Sequence, residues 1–154
     1  MSNTGYNKQA EYFENVLTIK QFFKRHRSGG YVFAVTYSFA LKKEVNREVI
    51  AYCKEQNLQV GEAEIKFEAE EGPVRQLRKA KEQFPGGLIL TNIDELIIST
   101  QNEFAFYLNQ MREGLFSLHI PILIWLMPDN HRTLTHKAID LYTRRDLDTL
   151  FFQS

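Results

Sequence analysis

The stretch GLILTNIDEL, residues 87–96, determines how the rest of the chain is interpreted. Its apolar run is typical of a buried strand, and it ends in two adjacent carboxylates, Asp94 and Glu95, before helix-like sequence begins. In an α/β sheet, ligands bind outside the carboxyl ends of the strands. Asp94 and Glu95 are therefore the first candidate site residues.

Strand and helix patterns alternate on either side of this stretch. A helix is predicted from about residue 6 to residue 26, ended by Ser28-Gly29-Gly30. Residues 31–37 and 120–127 are almost continuously apolar, which is typical of strands covered on both faces. Residues 58–67 alternate instead, which predicts an edge strand, and a phase slip near Gly61 indicates a β-bulge. The positions predicted to face inward in the first helix are Tyr6, Ala10, Phe13, Leu17, Phe22 and Phe23.

Helical patterns also connect the strands. Ser38 is placed to cap one helix, and Pro73 lies in the first turn of the next. A capping box at residues 100–103 predicts the start of a third helix. A shorter helix is expected at residues 128–142, and a last strand at 149–152. Each of the first three of these helices has a predicted inward face. It consists of Leu41, Val45, Val49 and Tyr52 or Cys53 in the helix after Ser38; of Val74, Leu77, Ala80 and Phe84 in the helix at Pro73; and of Phe104, Leu108, Met111, Leu115 and Leu118 in the helix after the capping box.

Strands that alternate with helices of this length indicate βαβ units and a parallel sheet. The predicted fold is therefore α/β, a three-layer sandwich with a mostly parallel sheet of about five strands. A single domain is expected over residues 1–154, with an N-terminal helix in 1–29 and the α/β core in 30–154. The runs that begin near Tyr31, Leu88 and Ile122 are expected to be central.

Composition narrows the class of protein. Nineteen basic and nineteen acidic residues balance, so no specific binding to nucleic acid is indicated. No apolar run approaches the ~20 residues of a membrane helix. The N-terminal residues lack a signal-peptide pattern, and the single cysteine fits a reducing compartment, so a cytoplasmic protein is expected.

The second half of the chain carries an unusual series of motifs: LNQMRE at 108–113, PILIWLMP at 121–128, DLYTRR at 140–145 and a final Phe-Phe pair. This series resembles a segment of bacterial STAND-type, AAA-related P-loop NTPase domains. With the strand at 88–95, the resemblance covers residues 88–152, and the earlier elements fit in order and type only. Members of that family are often modules of signalling or defence proteins in which nucleotide-dependent assembly relays a signal.

The resemblance gives residues 88–95 a definite interpretation. They look like a Walker B strand, whose acids hold a magnesium ion and orient water in nucleotide hydrolases. The NTPase sheet has its second strand at an edge, and its topology separates the Walker B strand from its neighbour. A flavodoxin-like order, with the first strand beside the second, remains an alternative at this stage.

The phosphate loop that such a strand needs is missing from the sequence. A Walker A loop reads Gly-x4-Gly-Lys-Ser/Thr, because its backbone amides must converge on the phosphates. The corresponding residues 36–43 are TYSFALKK, with Lys42 at the lysine position but no glycine. Lys43 replaces the magnesium-binding hydroxyl, and Tyr37 and Phe39 would intrude on the phosphates. Lys42 is therefore interpreted as a solvated lysine in the first helical turn.

Further candidate residues have both a functional and a structural interpretation. Asn92 and Thr91 would either bind a ligand or form the turn out of the strand. Arg112, Arg144 and Arg145 would bind phosphate or act across a subunit boundary, as the resemblance implies, but arginines of this kind more often form surface ion pairs.

The other reactive side chains carry no recognised pattern. The four histidines show no zinc spacing. Cys53 is expected to be an inert core thiol, and Trp125 is expected to belong to the core rather than to a base-stacking platform.

Three functions follow from these patterns. The leading hypothesis is a non-catalytic, NTPase-like interaction or assembly module in bacterial signalling or defence, with a protein partner or a second copy and no cofactor. The first alternative is a nucleotide-binding switch or weak ATPase that uses ATP and magnesium with Lys42, Asp94 and Glu95. The second alternative is a flavodoxin-like or receiver-like signalling domain.

Overall fold

The computed structural model describes residues 4–152, with side chains from residue 8 onward. In chain order the elements are α1 Thr4–Arg25, β1 Gly30–Val35, α2 Phe39–Glu55, β2 Val60–Ala63, α3 Pro73–Gln83, β3 Gly87–Leu90, α4 Ile93–Ser99, α5 Glu103–Gln110, α6 Arg112–Phe116, β4 Pro121–Leu126, α7 Pro128–Lys137, α8 Ile139–Thr143 and β5 Leu150–Phe151. The predicted α/β fold with an N-terminal helix is confirmed.

The five strands form one parallel sheet in the order β2-β3-β4-β1-β5. β2 lies at an edge, as predicted, and β1, β3 and β4 are central. β4 separates β1 from β3. A flavodoxin-like order requires β1 beside β2, so the sheet excludes that alternative.

Helices cover both faces of the sheet. Val32, Ala34, Leu123 and Trp125 point toward a core shared with α1 and α2. The alternate residues of the same strands, together with Leu88 and Leu90 of β3, point toward a second core shared with α3 to α8. Because β1, β3 and β4 are buried on both faces, their sequences are continuously apolar.

The inward face predicted for α1 is partly wrong. Ala10 is exposed, and Phe13 and Leu17 are 62% and 54% exposed, whereas Val16 and Ile19 are buried with Phe22 and Phe23. The buried stripe follows α1 where it contacts α2 and β4, and this orientation leaves positions 13 and 17 on the solvent side. The side chain of Tyr6, also assigned to this face, lies outside the described residues.

The bulge predicted at Gly61 is also wrong. β2 pairs with β3 in unbroken register from Val60 to Ala63. A Cβ added to Gly61 would lie 2.3 Å from Cε1 of Phe84. Glycine is therefore required because the Phe84 ring packs against the strand, and not because the backbone bends.

Two helices predicted as continuous are each divided in two. The helix after residue 100 breaks at Met111, between α5 and α6, although its predicted apolar face is buried throughout. The helix from Pro128 breaks at Ala138, whose backbone leaves the helical region. The predicted capping box does not form, because Asn102 occupies the N-cap of α5 while the hydroxyl of Thr100 accepts a bond from the amide of Phe104 at 2.9 Å.

Candidate functional site

The candidate residues of the central strands meet at the carboxyl edge of the sheet. β1 ends at Val35, β3 at Leu90 and β4 at Leu126. The residues that follow these strands surround a small cleft of about 80 Å³, and an open groove of about 570 Å³ beside it shares Phe39, Lys42 and Glu95 with the cleft. The cleft is lined by Thr36, Tyr37, Ser38, Phe39, Lys42, Asp94, Glu95, Leu126 and Met127. The structure thus brings together Lys42, Asp94 and Glu95, the three residues that the ATPase alternative would use.

Asp94 lies in the first turn of α4, beyond the end of β3. The predicted strand of residues 88–95 is therefore too long, because β3 stops at Leu90. Asp94 is only 6% exposed, and its Oδ1 accepts hydrogen bonds from the amide of Met127 at 2.8 Å and from Nδ2 of Asn130 at 2.7 Å. The carboxylate consequently connects the start of α4 to the start of α7.

The environment of Asp94 favours its neutral form. Burial raises the pKa of its carboxyl group, against the opposing effect of the Met127 amide, the Asn130 side chain and the charge of Lys42. Asn130 had no signal in the sequence, because its partner is 36 positions away. The hydrogen bond between Asp94 and Asn130 gives each of these buried polar side chains a partner.

Neutral side chains occupy the turn directly after β3, where a Walker B acid would bind metal. These residues are Thr91 and Asn92. Asn92 accepts a bond from the amide of Ile65 at 3.0 Å and donates to the carbonyl of Ile65 at 2.8 Å. Its amide therefore fastens the segment after β2 to the end of β3. Within the described residues, no group of three or more His, Cys, Asp or Glu side chains is arranged to hold a metal ion.

The loop between β1 and α2 contains only residues 36–38, and its amides are largely engaged within the chain. The amide of Ser38 donates to Oγ1 of Thr36 at 3.1 Å. The side chain of Ser38 caps α2, as predicted, by accepting from the amide of Leu41 at 3.1 Å, while its carbonyl accepts from the amide of Lys42. Such a loop offers no ring of free amides to a phosphate group.

The aromatic residues of this loop point outward. Tyr37 is 67% exposed and Phe39 is 70% exposed. The ammonium groups of Lys42 and Lys43 each lie 5.7 Å from the centre of the Phe39 ring. The loop and the start of α2 thus present two aromatic rings to solvent beside the closed cleft.

The interpretation of Lys42 as a solvated lysine is wrong. The side chain is half-buried, and its Nζ donates a hydrogen bond to the carbonyl oxygen of Thr91 at 2.9 Å. This contact joins α2 to the turn after β3 across the sheet edge. Lys42 thus connects these two elements structurally, and its charge opposes the rise in the pKa of Asp94.

The three candidate arginines have their contacts elsewhere. Arg112 lies 3.7 Å from Asp140 and 3.7 Å from Glu113, and Arg144 lies 3.6 Å from the same Glu113. Arg145 donates to the carbonyl of Tyr142 at 2.9 Å and stacks over its ring at 4.1 Å. The contacts found for these arginines within the described residues do not reach the cleft. Arg112 and Arg144 form the ion pairs that the structural interpretation predicts, whereas the stacking of Arg145 on Tyr142 was not predicted.

Other reactive side chains are also held in structural roles. Cys53 is fully buried, and burial raises the pKa of its thiol to about 11. Trp125 is buried and donates from Nε1 to Oδ1 of Asn46 at 2.7 Å. His131 shares a hydrogen bond of 2.9 Å with the hydroxyl of Tyr142, which is also bonded to Thr149 at 2.6 Å. This group holds α7, α8 and the segment before β5 together.

Comparison with known proteins assigns no family to the chain. No protein-family model matches the sequence, and a search of curated proteins finds no match either. Over the described residues, the helices are too short or too polar to cross a membrane.

Proposed function

We propose that the protein is a non-catalytic, NTPase-like module that works by association with another protein, in the setting of bacterial signalling or defence. The observation that carries the proposal is that Lys42 and Asp94, which line the cleft at the carboxyl edge, are hydrogen-bonded to other residues of the chain. A cleft of about 80 Å³ has room for two or three water molecules at the ~30 Å³ each occupies in the liquid. Ligand pockets are commonly ~300–1,000 Å³. A nucleoside triphosphate does not fit in the cleft, and in the adjoining groove of about 570 Å³ Lys42 is bonded to the Thr91 carbonyl instead of facing a phosphate loop.

The groups that close this edge support the same proposal. Lys42 is bonded to the Thr91 carbonyl, and Asp94 to Met127 and Asn130. Each group therefore has a structural partner in the place where the resemblance implies a phosphate or metal contact. The order of the sheet supports an origin among P-loop NTPases, because β4 separates β3, which precedes the acids, from β1.

The exposed aromatic rings support association. Tyr37 and Phe39 are held on a short, hydrogen-bonded loop, so little conformational freedom is lost when a partner covers them. Exposed tyrosines of this kind are enriched among residues that dominate binding energy at protein interfaces.

A second candidate is the nucleotide-binding switch or weak ATPase. It is favoured by one observation, the convergence of Lys42, Asp94 and Glu95 on a single cleft. It requires the cleft to open by breaking the contact between Lys42 and Thr91.

Measurement of ATP hydrolysis by the purified chain with magnesium tests the two functions. The proposal predicts no turnover above a no-protein control. Turnover that disappears in both Asp94→Asn and Glu95→Gln variants would establish the ATPase instead. These substitutions remove the negative charges while keeping the size of the side chains.

A Tyr37→Ser/Phe39→Ser double variant tests association. If the loop contacts a second copy, the wild type is an oligomer in light scattering and the double variant is a monomer. If both are monomers, the proposal requires a different protein as partner.

A further inference from the structure

β2 is an edge strand with one row of backbone groups unpaired in the sheet. The carbonyl of Ala63 faces β3, where it accepts from the amide of Thr91 at 3.3 Å. In a parallel ladder, alternate residues direct their backbone groups to opposite sides. The N–H and C=O groups of Val60 and Glu62 therefore face away from the sheet.

A groove runs beside this edge, between β2 and α2. Its first part has a volume of about 710 Å³ and includes Ile50, Leu58 and Val60. Its second part has a volume of about 570 Å³ and includes Ile50 again, with Glu62 and Glu64 on the strand side and Lys42, Lys43 and Arg47 on the α2 side. Because Ile50 lines both parts, the groove continues along the whole strand. The strand side of the groove is apolar near Val60 and acidic near Glu62.

The charges indicate what the acidic part of the groove can accept. Three cations of α2 line this part: Arg47 is paired with Glu44, Lys42 is bonded to the Thr91 carbonyl, and Lys43 lies over the Phe39 ring. Glu62 accepts a hydrogen bond from Nδ2 of Asn46 at 2.9 Å and is nevertheless exposed, as is Glu64. The segment that follows them adds exposed Glu68 and Glu70. A basic segment complements this surface.

A second copy of the chain is a poor occupant. Pairing of two β2 strands about a two-fold axis at Glu62 would place one Glu62 opposite the other. Like charges directly opposite each other in a sheet are destabilising. The glutamates therefore protect the edge against self-association, which short charged edge strands commonly do.

We propose that β2 binds an extended segment of a partner protein as an added strand. The segment carries an apolar residue followed, at alternate positions, by two basic residues. The apolar side chain lies beside Val60 in the part of the groove that contains Ile50 and Leu58. The basic side chains lie beside Glu62 and Glu64. This inference rests on the proposed association function and names the partner's chemistry.

The test titrates a fluorescent peptide with the full chain and follows its anisotropy. The peptide has seven residues, an isoleucine followed at alternate positions by two lysines, with threonines between and around them. A matched peptide carries glutamates in place of the lysines. A third has N-methyl groups on alternate backbone amides, which prevents it from pairing as a strand while keeping its side chains.

Two protein variants isolate the backbone contact. Glu62→Ala removes the carboxylate and keeps the outward N–H, whereas Glu62→Pro removes both. Proline is tolerated in an edge strand where its nitrogen faces solvent. Circular dichroism verifies that both variants fold.

We expect the lysine peptide to bind the wild type, and binding to weaken as salt is added. Glu62→Pro should bind at least about fivefold more weakly than Glu62→Ala, the factor expected for one lost hydrogen bond. Equal binding of the glutamate peptide, equal binding of the N-methylated peptide, or no binding of the lysine peptide would overturn the inference. If Glu62→Pro does not fold, the N-methylated peptide decides the question alone.

Failure of this inference is distinguishable from failure of the proposed function. ATP turnover by the wild type contradicts the non-catalytic function whatever the peptides do. Absence of both turnover and peptide binding contradicts only the assignment of this partner to β2.

Discussion

Replacement of Asp94 by alanine should destabilise the fold. The substitution removes the acceptor of two hydrogen bonds, from the amide of Met127 at 2.8 Å and from the buried side chain of Asn130 at 2.7 Å. Each buried donor left without a partner costs roughly 1–3 kcal/mol. We expect a loss of about 2–5 kcal/mol in the free energy of unfolding, a large part of the ~5–15 kcal/mol of an ordinary domain.

Asp94→Asn should behave differently. The asparagine oxygen accepts the same two hydrogen bonds, and the cost of burying a charge disappears. We expect this variant to be as stable as the wild type or more stable at neutral pH. Because burial raises the pKa of Asp94, the folded state favours the protonated carboxyl group. Its contribution to stability is complete below the ordinary pKa of about 3.9 and is lost as the pH rises through the raised folded value.

Urea unfolding followed by circular dichroism, at neutral pH and at about pH 4, measures both effects. Glu95→Ala is the matched control, because Glu95 is adjacent and exposed, and should change stability by less than about 0.5 kcal/mol. If Asp94→Asn is as destabilising as Asp94→Ala, Asp94 is not the neutral-favouring hydrogen-bond acceptor described above. If Asp94→Ala is as stable as the wild type, the connection between α4 and α7 contributes nothing.

Three further predictions follow from single contacts. Ser38→Ala should lower the free energy of unfolding, measured with urea, by about 1 kcal/mol, because it removes the side-chain cap of α2. Ser38→Gly should lower it by only a few tenths of a kcal/mol. Gly61→Ala should lower the free energy of unfolding by roughly 1–3 kcal/mol, because its Cβ would overlap the ring of Phe84. Most of this difference should vanish when both proteins also carry Phe84→Ala. An unchanged difference would contradict the role assigned to the ring. Burial, reinforced by the charge of Arg145, lowers the pKa of His131 in the folded protein. The neutral histidine therefore contributes stability at a pH above its ordinary pKa of 6.5, and this stability is lost as the pH falls through the lowered pKa of the folded state. The urea midpoint should therefore fall between about pH 7.5 and pH 5 by more in the wild type than in His131→Gln, and equal losses would exclude this effect.

The fold was largely predictable because its signals are local. The apolar runs of β1, β3 and β4 are continuous since both faces of each strand are buried. The cap at Ser38 depends on an amide only three residues away. The breaks at Met111 and Ala138 were missed because the apolar pattern continues across both of them.

The roles of the site residues were less predictable, because they depend on distant partners. Lys42 and the carbonyl of Thr91 are 49 positions apart, and nothing near Lys42 in the sequence indicates that it is half-buried. Asp94 resembles a metal ligand until its bonds to Met127 and Asn130 are known. The sequence indicated that Asp94 and Glu95 follow a strand at the carboxyl edge, but not that Lys42 and Asp94 are bonded there to Thr91, Met127 and Asn130.

Nucleotide binding itself tests the central claim most directly. The measurement is the thermal unfolding of the purified chain with increasing ATP and magnesium, beside the same series with magnesium alone. A ligand that binds only the folded state stabilises it by about 2.7 kcal/mol at a hundredfold excess over its Kd. We predict identical unfolding temperatures in the two series. A saturable rise with ATP that is absent in Lys42→Ala, with Lys43→Ala unaffected, would contradict the account.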